Sequence, residues 1–139
     1  MRIKINKNSK GKYRNEKCEY DGFVFDSRKE MKRYMFLKAA EHDGLISNLE
    51  RQIRYELIPP VKKKEVVQLK TKQKIVERTE QLAITYTCDF RYSKDGVVIG
   101  EDVKASPKML PKEFILKEKL MFWRYGIRIK RVYKADEKI

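Results

Sequence analysis

Only two cysteines, Cys18 and Cys88, occur in the 139 residues, far apart and without a CxxC pair. Beside them stands a single histidine, His42, so the ligands of a structural zinc site are missing. Neither cysteine carries a cue for nucleophilic catalysis, and both read as packing residues of a protein kept in a reducing cytoplasm. No Gly-rich loop precedes a Lys-Ser or Lys-Thr pair, which excludes a nucleotide-hydrolysing P-loop. No apolar run reaches the length of a membrane span, and the basic start is not followed by the apolar stretch of a signal peptide. A soluble, intracellular chain without a membrane partner is the expectation.

Acid is the other scarcity. Against 34 Lys and Arg stand 20 Asp and Glu, a formal net charge of +14. Such an excess favours phosphate contacts, with nucleic acid as the first partner and an anionic membrane surface as the second. An inert basic surface is the alternative. Apolar residues make up 41% of the chain, enough for one core and one domain.

Residues 1–17 are rich in Lys, Asn and Arg and read as a flexible basic arm leading into a domain over 18–139. Asp21-Gly22 suits the turn of a hairpin with Phe23 and Phe25 on one face. Ser27 and Glu30 have capping-box spacing, and Gly44 suits a helix stop, so a helix runs between them. Its packed side is read as Met31, Tyr34, Met35 and Lys38, continued by Ala39 and the stem of His42. A strand follows around Leu49, Ile53, Tyr55 and Leu57, ended by Pro59-Pro60. The charged insert at 61–81 has no clean period and admits a protruding hairpin, a short helix or a loop. Two strands then flank the turn Ser93–Gly96. Alternation puts Ile84, Tyr86, Cys88 and Phe90 on one side of the first, with Asp89 opposite. A helix opened by Pro111 and ended by Gly126, then a strand at 127–133, complete a mixed α/β order.

The chemistry lies in the two strands after the insert. Asp102 and Lys104 are two apart and leave one face, and Asp89 joins them if the hairpin register allows. Two carboxylates and an ammonium at one spot suit Mg²⁺, with the Val103 carbonyl as a further oxygen. Lys104 is placed to orient a water or to stabilise a phosphate as negative charge grows. The competing reading is an ion pair on a solvated sheet face, worth about 0–1 kcal/mol. Glu30 has two readings as well: half of a capping box, or a third acid delivered by the helix. His42 is given no role.

Glu30, Asp89 and Asp102-x-Lys104, in this order and on these elements, resemble the PD-(D/E)XK nuclease superfamily. "FDSRKEMKRYMFLKAAEHDGLISNLERQIRYEL" is similar to the opening helix and strand of phage junction-resolving endonucleases with a T7 endonuclease I-like layout. "TYTCDFRY…DGVVIGEDVKAS" resembles their central hairpin, and "KLMFWRYGIRIKRVY" their closing helix and strand. The chain also resembles a family of proteins from phages and prophages of Gram-positive bacteria. The likeness spans about 20–133, without the insert. It implies a restriction-endonuclease-like core, a mixed central sheet flanked by helices. It further implies a Mg²⁺-dependent endonuclease, with Mn²⁺ able to substitute, that cuts DNA at four-way junctions as a homodimer in the host cytoplasm.

By that resemblance Asp89, Asp102, Val103 and Glu30 would hold the metal and Lys104 would be the motif lysine. Lys117 or Lys119 would approach the scissile phosphate. On the nuclease reading, the basic surfaces outside that likeness, Lys12 and Arg14 on the arm and Lys62, Lys63 and Lys64 on the insert, would hold the DNA arms. Cys88 stands where the motif has proline, and Asp102 where most members have Glu. Glu101 competes for the acid position, but spacing to Lys104 and strand alternation favour Asp102. Other substrates for the same fold (flaps, single strands, duplex) and a non-catalytic nucleic-acid-binding protein are the alternatives.

Overall fold

The computed structural model describes residues 4–5 and 16–139, so Lys12, Arg14 and most of the basic arm lie outside it. Three short antiparallel strands open the chain: β1 (Lys4–Ile5), β2 (Cys18–Tyr20) and β3 (Phe23–Phe25). Asp21 and Gly22 both have positive φ, 53° and 76°, the geometry that lets a two-residue turn follow the strand twist.

The helix α1 (Arg28–His42) starts as the sequence predicts, with Ser27 Oγ accepting from the Glu30 amide at 3.1 Å. Its buried side differs from the expected one. Met31 and Tyr34 are buried as read, together with Glu30, Arg33, Leu37 and Ala40, whereas Met35, Lys38, Ala39 and His42 are exposed. The rotation follows Arg33, which is fully buried because Glu101 neutralises it from the sheet.

The central sheet has four strands in the order β4 (Ser47–Ile58), β7 (Ile84–Lys94), β8 (Val97–Val103) and β9 (Ile129–Val132). The β4–β7 and β7–β8 pairs are antiparallel and β8–β9 is parallel. A parallel neighbour needs a crossover, supplied by a 3₁₀ turn (Pro107–Met109) and α2 (Lys112–Tyr125). Pro111 caps α2 instead of lying in its first turn, and Gly126 closes it in the left-handed region. The insert is a hairpin of its own, β5 (Val61–Gln68) and β6 (Gln73–Gln81), which among the described residues pairs with no other strand.

Two apolar clusters sit on the sheet. One joins Met31, Tyr34, Leu37 and Ala40 of α1 to Cys18, Phe25, Phe90 and Tyr92. The other joins Phe114 and Met121 of α2 to Leu57, Tyr86, Cys88 and Ile129. Along β8 alternation holds: Ile99 and Val103 pack with the α1 cluster, and Gly100 lies beside Cys88 and Ile129.

In β7 it does not hold. Tyr86 and Cys88 belong to one cluster and Phe90 to the other, although all three were expected on one side. β4 switches at the same level, Leu49 packing with α1 and Ile53 and Tyr55 with α2. Gln52, between the pairs Arg51–Phe90 and Ile53–Cys88, has a φ of 50°, which turns its strand. The residue across from Gln52 is Asp89.

Candidate active site

The β7–β8 ladder ends at the pair Phe90–Glu101. Beyond it the strands part, and a side chain replaces a backbone partner: Asp89 Oδ2 accepts from the Val103 amide at 2.8 Å. Val103 therefore meets Asp89 through its N–H. Asp102, next to it, is buried; its Oδ2 accepts from the Tyr86 hydroxyl at 2.6 Å, and its Oδ1 lies 2.8 Å from Lys104 Nζ. The ammonium of Lys104 also stands 4.0 Å from the Phe114 ring centroid on α2. With side-chain exposures of 22% for Lys104 and 8% for Asp102, this pair is not the solvated surface bridge of the competing reading.

Glu30 comes from the first turn of α1. Lys29 anchors that turn to the end of β8 through the carbonyl of Lys104, at 3.3 Å. The capping box is only half formed. Ser27 bonds the Glu30 amide, but the Glu30 carboxylate accepts from Gln52 Nε2 at 3.1 Å instead of returning to Ser27. Glu30 is buried, its carboxyl raised by that burial and by Asp26, with Asp102 adding to the effect and Arg51 opposing it.

The carboxylates feel one another most at Asp89. Burial, then Asp102, then Glu30 push its carboxyl from the ordinary 3.8 up to about 8, against the lowering effect of the Val103 amide and Lys104. Tyr86, whose hydroxyl is tied to Asp102, is held protonated well above the usual phenol range by burial and by that carboxylate. Burial likewise pushes the Cys88 thiol up to about 12, so it is an inert packing residue.

The chain's family is shown by its match, over residues 10–137, to the family described as "Protein of unknown function (DUF1064)". It belongs to DUF1064. No curated protein and no solved structure matches it. The matched span takes in every residue of the site just described.

In this DUF1064 chain Glu101, the rival acid, faces the other way. It receives Arg33 through two bonds, Nε at 2.7 Å and one terminal nitrogen at 2.6 Å, and the Tyr92 hydroxyl at 2.5 Å. Arg33 completes its donors on the carbonyls of Ala135 and Glu137. Glu101 is thus a buried structural acid.

Lys117 stays with the site: it lines a depression of about 270 Å³ with Tyr86, Asp102, Lys104 and Phe114, and pairs with Glu113 at 2.8 Å. Lys119 does not. It lines a separate depression of about 440 Å³ with Phe122, Arg128 and Arg131, because two residues along a helix turn a side chain by about 200°. Lys62, Lys63 and Lys64 are exposed on β5, away from the acids in the fold's separate hairpin.

Among the described residues, no group of three or more His, Cys, Asp or Glu side chains is close enough to hold one ion. The donors that remain are the two aspartates. Hard carboxylate oxygens under mutual repulsion fit Mg²⁺ or Mn²⁺, and Mg²⁺ takes one or two carboxylates and keeps water on its other positions.

Two partners of the site were not read from the sequence, Tyr86 and Gln52. A hydroxyl on an otherwise apolar strand face is a signal for Tyr86. Nothing in the sequence marks Gln52, since its role depends on a left-handed φ that glycine would have announced and glutamine does not.

Proposed function

We propose that this chain is a Mg²⁺-dependent endonuclease with a restriction-endonuclease-like core, cutting DNA phosphodiesters at branched structures such as four-way junctions. The observation that carries the reading is the parting of β7 and β8 at Asp89. It brings a carboxylate crowded by Asp102 and Glu30 next to an ammonium fixed by Asp102 and Phe114. A structural ion pair needs one acid for one lysine; the further acids crowded against Asp102 suit a site that takes up a cation.

Asp89 and Asp102 would hold the metal. When bound, it supplies Lewis-acid polarisation of the phosphate and an ionised water. Lys104 stands at the rim of the depression, where it would donate to a phosphate oxygen as negative charge grows. Tyr86 keeps Asp102 oriented through one oxygen. Glu30, steadied by Gln52, accepts a hydrogen bond from water entering between the helix and the strands. Lys117 contributes a second cation at the depression once it leaves Glu113. Paired cuts across a junction require two copies of the chain, so a homodimer accompanies this reading.

A second reading, a non-catalytic basic protein that binds nucleic acid, is favoured by the lack of a three-ligand cluster among the described residues. The test is cleavage of a labelled four-way junction beside flap, single strand and linear duplex, with Mg²⁺ or with EDTA. Symmetric Mg²⁺-dependent cuts at the junction are expected. Cuts in another substrate only would retain the nuclease and change its target. Binding without any cut, in Mg²⁺ or Mn²⁺, would establish the second reading.

A further inference from the structure

Among the described residues the hairpin β5–β6 stands apart: no residue of either strand is buried, and it forms a sheet alone. A lone two-stranded ribbon is marginal in water without a covering surface. Its charge is unevenly spread. Toward the root, four cations (Lys62, Lys63, Lys64 and Arg78) face three carboxylates. Lys62 lies 3.6 Å from Glu77, and Arg78 lies 3.0 Å from Glu65. Toward the tip, Lys70, Lys72 and Lys74 have no acid within the segment 66–76. The turn between the strands is tight, Leu69 N–H donating to the Lys72 carbonyl at 2.8 Å, so the three ammonium groups are gathered at one end.

We propose that this ribbon is a duplex-binding arm whose tip cations, Lys70, Lys72 and Lys74, grip DNA phosphates while the root, its cations largely offset by carboxylates, serves as scaffold. The proposal rests on the nucleic-acid part of the reading above and is independent of catalysis. Eight residues of strand carry the tip about 27 Å from the root. Two strands fit side by side in a major groove about 12 Å wide, which admits such a ribbon. The cross-strand pair Val66–Ile75, exposed among the described residues, would lie against base edges and thymine methyls between the phosphate walls. The contacts the fold offers are thus displaced from Lys62, Lys63 and Lys64 toward the turn.

The test is duplex and junction binding in EDTA by the full chain, with Lys70, Lys72 and Lys74 all changed to Gln, against a root variant with Lys62, Lys63 and Lys64 changed to Gln. Circular dichroism checks that both fold; all six positions are exposed. The tip variant is expected to bind at least tenfold more weakly at low salt, with its log–log salt slope shallower by about 3, roughly 0.9 per lost phosphate contact. The root variant is expected to lose less on both counts. Equal losses, or a larger loss from the root, overturn the proposal. So does tip-dependent binding to phosphatidylserine vesicles with no binding to DNA. A wild-type chain that binds duplex through its tip yet cuts nothing supports the arm and removes the nuclease; one that cuts with tip and root equivalent does the reverse.

Discussion

Glu101 and Asp102 are adjacent on β8 and both buried, yet they live in opposite electrostatic worlds. On the α1 side, Glu101 is saturated: a guanidinium meets both oxygens and a phenol adds a third bond. On the α2 side, Asp102 shares its neighbourhood with Asp89 and Glu30 and has one ammonium and one hydroxyl. One strand therefore separates an acid whose charge is spent on folding from acids whose charge is left over. Acids of the second kind gather at binding and catalytic sites more often than elsewhere.

The largest effect should come from unbalancing the settled side. Arg33→Met leaves Glu101 buried without its cation, and a loss of about 3–5 kcal/mol in unfolding free energy is expected from urea titration. A loss below about 1 kcal/mol would mean Glu101 is not settled by Arg33, and the contrast between the faces would collapse.

On the crowded side the sign reverses. Asp89→Asn can still accept from the Val103 amide but removes a repelling charge. It should stabilise the metal-free chain at pH 8 by about 1–2 kcal/mol, discounted because Asp89 retains some solvent contact. The folded-state pKa is raised, so the wild type is at its most favourable below the ordinary 3.8 and loses stability as pH rises through about 8. The advantage of Asn should thus vanish near pH 4 and be complete above pH 8, as read by thermal melts across that range. A flat difference would show that Asp89 does not titrate there.

A smaller effect sharpens the boundary between the halves. Gln52→Gly fits the left-handed φ without strain and should change stability by less than about 1 kcal/mol, while freeing Glu30 from its hydrogen-bond partner. Gln52→Val should cost about 1–2 kcal/mol more than Gly in the same melts. Equal costs would show that the φ at 52 carries no strain.

Much of this architecture is legible in the chain, and the illegible part has a common cause. That Asp102 and Glu101 leave opposite faces follows from alternation because β8 is regular. The caps of α1 and the Asp21-Gly22 turn are local, and local rules find them. The face switch at Gln52 and Asp89 is not local: it depends on two strands deviating together without a glycine or proline to mark the place. The packed side of α1 is missed for a related reason. Arg33 is not among the residues read as packed, because what buries it, Glu101, lies 68 positions later. Glu30 shows both at once, its amide capped as the sequence predicts and its carboxylate taken elsewhere by a residue outside any local pattern.

The most direct test compares the two neighbours on β8. Mg²⁺-dependent cleavage of a labelled junction would be measured per folded molecule for Asp102→Asn and Glu101→Gln, with the folded fraction of each set by circular dichroism. The account predicts that Asp102→Asn folds and loses about 10³-fold or more in rate, the scale of losing an essential charged group, while Glu101→Gln is less stable but cuts at near wild-type rate. Equal rates for the two folded variants would contradict it.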